Sequence, residues 1–134
     1  MDGDGLGATA NATAAREHVF GFNRITMWER DRIPAETSDQ LAEFADIAAA
    51  LPQACSQLSS ALEQALARQE LSMDSMTDES DPSMAIGVAR LHLEEARGLA
   101  VDLYKHLNAA RNATAHIISQ RLDDAQAPMT WRKP

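Results

Sequence analysis

His92 and Glu95 stand three residues apart, and His106 follows in the same helical column as His92, so a helix would carry all three toward one side. Imidazole and carboxylate at that spacing are capable of ligating a transition metal. A carboxylate-bridged di-iron bundle needs more: Glu-x-x-His on two helices and further glutamates pointing inward. The acids Glu43, Asp46, Glu63 and Glu70 all fall on the outer columns of the neighbouring helical segment, away from where a buried ion would sit. The histidines therefore read as flanks of an apolar seam. A small-ligand or metal-binding helical bundle using His92, Glu95 and His106 is the alternative reading, while His18 and His116 have no ligand spacing.

Other chemistry is sparser. Asp74, Asp78, Glu79 and Asp81 cluster in Ser72–Asp81, but a calcium loop counted from Asp74 has Met76 third, Glu79 sixth and Ala85 twelfth. An EF-hand requires an oxygen ligand, a glycine and a bidentate glutamate at those places. The stretch reads as a solvated turn whose acids favour the start of the next helix. Cys55 excludes an internal disulfide and falls on a packing position, where a buried, inert thiol is the default. No phosphate-binding glycine loop, nucleophile elbow or Cys-x-x-Cys occurs. With no nucleophile–base pair and no paired acids, the chain reads as a non-enzyme, and no metal, cofactor or catalytic residue is assigned.

What the sequence specifies clearly is helix packing. Ile86, Leu93, Ala100, Leu107 and Thr114 form one column at seven-residue spacing, and Ala89, Ala96, Leu103, Ala110 and Ile117 form a second. An earlier stretch repeats the pattern, with Leu41, Ala48, Cys55, Leu62 and Gln69 in one column and Phe44, Leu51, Leu58, Ala65 and Ser72 in the other. Two such seams predict two long helices packed along one another. Apolar residues make up 45% of the 134 residues but aromatics only 4%, which suits close helix packing better than a β-sandwich. The net charge of −8 argues against nucleic acid and against an anionic membrane surface. The acidic start without an apolar core region, and the single cysteine, predict a cytoplasmic protein.

In chain order, residues 1–13 predict a disordered N-terminus and residues 14–122 a helical hairpin domain with an N-terminal arm. Residues 123–134 predict a flexible tail, with Trp131 unassigned. The arm from Arg16 to Pro34 carries Phe20, Phe22 and Trp28, has no clear period, and is expected to be extended or partly helical, with its aromatics packed across the helix pair. Thr37 and Gln40 form a capping box that starts the first long helix near Ser38, to end about Leu71. Pro52 should kink that helix or split it. Asp81 and Pro82 start the second helix as N-cap and first residue, and it should run to about Arg121.

Two long helices joined by a short turn resemble the WXG100 family of small secreted helical hairpins in architecture. The motifs do not carry over, because the connection lacks Trp-x-Gly and Tyr104 is followed four residues on by Asn108 rather than an acid. The apolar stripe of the first helix is wider than one partner covers, since Ile47, Ala54 and Ala61 lie on one side and Ala45, Pro52 and Leu66 on the other. The expected fold is thus all-α, an antiparallel hairpin of two long helices with an N-terminal arm, completed to a four-helix bundle by homodimerisation. The expected function is a helical interaction or scaffold protein whose partner is itself, or another protein. Ile47, Leu51, Leu58 and Leu66 are the expected interface centre. The Arg90, Arg97, Tyr104 and Arg111 column is expected at its edge, with Trp28 as a further anchor.

Overall fold

The computed structural model of the chain describes residues 3–120. It contains three helices, α1 (Gly3–Trp28), α2 (Pro34–Arg68) and α3 (Pro82–Thr114). Three helices replace the expected two, because the arm is itself a regular helix of 26 residues that begins within the stretch expected to be disordered. Five alanines between Ala8 and Ala15 supply the helix propensity that the glycines before them lack. The chain divides after Arg32 into two units, the first holding α1 and the second holding α2 and α3. Within α1, Phe20, Ile25, Met27 and Trp28 are exposed, and the Thr26 hydroxyl donates to the carbonyl of Phe22 at 2.9 Å.

The second unit is built on α2 packed against α3. Helix α2 starts a turn before the expected capping box, with Pro34 as its first residue and Ile33 in extended conformation at the cap. Proline fixes φ near the helical value and has no amide to leave unpaired, so it nucleates this end without a side-chain cap. The Thr37 hydroxyl then donates back to the carbonyl of Ile33 at 3.4 Å instead of capping Gln40. The helix continues through Pro52 as one element of 35 residues.

From Gln69 to Asp81 the connection is held by its own side chains. The Asp74 carboxylate accepts from the Met76 amide, the Thr77 hydroxyl from the Glu79 amide, and the Glu79 carboxylate from the Asp81 amide. Asp81 caps α3 as the sequence predicts, its carboxylate accepting from both the amide and the hydroxyl of Ser83 at 2.9 Å. Helix α3 ends at Thr114, about two turns before the expected Arg121. The Thr114 hydroxyl turns back onto the carbonyls of Ala110 and Arg111 there.

The core between α2 and α3 is thin. Its buried apolar residues are Ala45, Ala48 and Ala100, Ser38 is buried beside them, and no large side chain is fully buried among the described residues. Half the expected seam of α2 is observed, since Leu41, Cys55 and Leu62 are half-buried in line with Ala48. Its second column is displaced by one residue: Ser38, Ala45, Pro52 and Ser59 face inward, while Leu51 and Leu58 of the expected column stand exposed. On α3 the column Ile86, Leu93, Ala100, Leu107 and Thr114 faces inward as expected. In its second column Ala89, Ala96 and Ala110 are half-buried, but Leu103 is exposed and its neighbour Tyr104 is half-buried in its place. On α2 the displacement is present from the first heptads, at Ser38 and Ala45, and has gone by Ala65, which is half-buried where Leu66 is exposed.

Candidate interaction surface

The displaced register gives the hairpin two unlike sides. On one side, small residues of α2 meet long residues of α3. The Ser38 hydroxyl donates to the carbonyl of Arg111 at 3.5 Å, and at the other end the Arg90 Nε donates to the Ser59 hydroxyl at 3.0 Å. Stepping one heptad inward from each pair sets Ala45 opposite Tyr104 and Pro52 opposite Arg97. Ala45 and Tyr104 indeed line one shallow recess of about 190 Å³ with Ala42, Asp46, Asn108 and Arg111. Serine, alanine and proline leave room for the stems of arginine and tyrosine to lie across the seam.

Charges complete this side. Arg90 reaches Glu63 at 2.7 Å, across the two helices, and Arg97 makes a two-pronged contact with Glu94 at 2.6 and 3.1 Å. The hydrogen bond from Arg97, and then its charge, hold the Glu94 carboxyl below its ordinary range, and the same contact raises Arg97. Both groups are solvent-exposed, so the pair is screened and adds little to stability. The expected Arg90, Arg97, Tyr104 and Arg111 column is thus brought together along one edge of the hairpin, where Arg90 and Arg111 meet residues of α2.

The other side is apolar. Ile47, Leu51 and Leu58 of α2 are exposed at 47%, 39% and 57%. Leu99 and Leu103 of α3 are exposed at 64% and 46%. In an antiparallel pair these columns flank the seam on the same side, opposite the arginine edge. Phe44 is half-buried between seam and flank. Leu66 belongs elsewhere: it continues the Ser38, Ala45, Pro52 and Ser59 column toward the turn and is 41% exposed. Trp28 lies in the first unit, near the end of α1, and is exposed.

Sequence reasoning names the α2 half of this apolar flank and misses the α3 half. Leu103 is assigned to the seam and Leu99 to no site. Nothing in the seven-residue repeat marks the exposure of Leu103, since Ala96 and Ala110 of its column are half-buried. His92 and His106 fall in the column of Leu99, both exposed, and Cys55 lies half-buried in the seam. Among the described residues, no group of three or more His, Cys, Asp or Glu side chains is placed to hold a metal ion. No helix among them is long and apolar enough to cross a membrane. No family model, curated protein or solved structure matches the chain.

Proposed function

We propose that this chain is a non-enzymatic helical interaction protein that pairs with a second copy of itself through the apolar flank of its hairpin. One observation carries the reading: the hairpin buries only three alanines as apolar core while leaving Ile47, Leu51, Leu58, Leu99 and Leu103 in water. A full burial of such side chains contributes about 1.5–3 kcal/mol each, so the stabilisation that the seam lacks is held in the flank. Two helices about 10 Å wide, presenting about 30 Å of flank, offer on the order of 600 Å² per copy. Twice that area reaches the lower range of stable protein interfaces, about 1,200–2,000 Å².

A second copy suits the surface better than an unrelated partner, for electrostatic reasons. Each chain carries a net charge of −8, so two copies repel wherever acids meet. The flank columns from Gln40 to Ala65 and from Ala85 to Ala113 contain no Asp, Glu, Lys or Arg, so a two-fold pairing brings no like charges face to face. The paired hairpins then form a four-helix bundle in which the flank becomes the core.

The experiment is sedimentation or light scattering of the full chain at tens of micromolar and about pH 8. A dimer mass is expected, and Leu51→Asp and Leu103→Asp should each give folded monomer, because both positions are exposed in the single hairpin. A monomer mass for the unaltered chain would overturn the reading, and so would dimers of both variants.

A further inference from the structure

The flank carries two ionisable side chains between Gln40 and Ala65 of α2 and between Ala85 and Ala113 of α3, and both are histidines. His92 and His106 stand one heptad to either side of Leu99, in an outer column whose other members are Ala85 and Ala113. The columns facing them on α2 hold Phe44, Ile47, Leu51, Ala54, Leu58, Ala61 and Ala65, with no charge. On α3 itself, Glu95 lies three residues after His92, and Asp102 four before His106, in the next column outward. On α2, Glu43 stands in the equivalent outer column, level with His106, and across a two-fold axis the second copy presents the same set: apolar columns, two histidines, and Glu43, Glu95 and Asp102 at the margin.

We propose that His92 and His106 make the self-association proton-gated: the hairpins pair when both imidazoles are neutral and separate as they are protonated. The inference rests on the pairing of apolar flanks proposed above. In the single hairpin both rings are solvent-exposed, and either protonation state is hydrated. In the pair each ring is pressed against alanine and leucine. Burial there penalises the imidazolium far more than the imidazole. Fewer protons are therefore bound in the pair than in two free hairpins, and affinity must fall as protons are added. The sign follows from the burial: pairing is at full strength while both imidazoles are neutral and weakens as pH falls and they take up protons.

Glu43, Glu95 and Asp102 act against this by favouring the charged rings, but from the wetter margin, where their attraction is screened. The general charge of the chain also acts against it. Acidification from about pH 8 toward the sequence pI of about 4.8 reduces the net negative charge, so simple repulsion between copies would weaken and pairing would strengthen. A loss of pairing on acidification thus has the opposite sign to the non-specific effect, which makes it diagnostic of the histidines.

The test is the dimer dissociation constant of the full chain by sedimentation equilibrium at about pH 8 and about pH 5.5. The histidines change charge across this window while most carboxylates stay ionised. The unaltered chain should weaken by about tenfold or more at the lower pH, and His92→Gln with His106→Gln together should remove that loss. Equal or tighter pairing of the unaltered chain at the lower pH would overturn the gate while leaving the pairing intact. Full pH sensitivity in the double variant would overturn it as well. Monomer at both pH values would instead remove the pairing itself. Circular dichroism at the lower pH distinguishes dissociation from unfolding, and loss of helix there in step with dissociation, in the double variant also, would refute a role for the histidines.

Discussion

The two sides of the α2–α3 hairpin are made from the same heptad repeat and do opposite things. On the arginine side, residues too small to drive burial, Ser38, Ala45, Pro52 and Ser59, meet the long residues Arg90, Arg97, Tyr104 and Arg111, and the contact is completed within one chain. On the leucine side, residues with much apolar area, Leu51, Leu58, Leu99 and Leu103, leave between 39% and 64% of their surface exposed. The difference teaches that apolar area alone does not decide which column flanking the shared seam is drawn between the helices, since Pro52 and Ser59 turn inward where Leu51 and Leu58 do not. Alanine admits a close backbone, so Ala48 becomes the most buried of the core alanines, at 1% exposure. Leu41, Leu62, Leu93 and Leu107 share the seam with it, half-buried, while Leu51, Leu58 and Leu103 stand on the rim.

That contrast is most sharply broken at Ala48. Ala48→Leu should destabilise the hairpin by about 1–3 kcal/mol, because Ala48 is 1% exposed and the added carbons must push into the facing helix. The same enlargement at exposed Ala54, on the leucine side, should leave stability unchanged or raise it through the pair. Thermal melts of the two variants check this, and equal losses would show that the two sides are not distinct. A smaller effect is expected on the arginine side. Arg90→Ala removes the contacts with Ser59 and Glu63, but all are exposed and screened, so the loss should be under about 1 kcal/mol and should shrink further in high salt. Denaturant titration at low and high salt measures it, and a loss of several kcal/mol would mean that the polar edge, rather than the alanine seam, holds the helices together.

Part of this was legible in the residues alone. Leu41, Ala48, Cys55 and Leu62, and Ile86, Leu93, Ala100 and Leu107, repeat at seven-residue spacing and do face one another. The Asp81–Pro82 helix start was equally plain, since a capping carboxylate followed by proline has a direct local cause. The second column of α2 was misread because pattern reading prefers the most apolar residue, and Leu51 and Leu58 outrank Pro52 and Ser59. Tyr104 was placed beside the seam instead of within it because the column of Ala89, Ala96 and Ala110 points to Leu103. Helix α1 was missed because its glycines and scattered aromatics obscure both periodicity and propensity, although Ala8 to Ala15 is a helix-forming run. The flank of α3 is legible in part: the shared column places His92 and His106 beside the seam, as observed, whereas Leu103 reads as a seam residue.

The self-stapled turn between Gln69 and Asp81 has a consequence for how the hairpin is built in time. Contacts near it close short loops: Ser59 and Arg90 are 31 residues apart along the chain, whereas Ser38 and Arg111 are 73 apart. Closing the longer loop directly costs about 0.8 kcal/mol more in chain entropy, so assembly is expected to start at the turn and run outward, each heptad positioning the next. Opening then runs the other way, from the ends at Pro34 and Thr114. Amide hydrogen exchange reads this order: amides around Ser59 and Arg90 should outlast those around Ser38 and Arg111, and a uniform rate along both helices would show a single concerted step. A chain that closes from its turn has few ways to pair out of register. The seam is therefore set within each copy first, so in the pairing proposed above folding is local and assembly alone would depend on concentration.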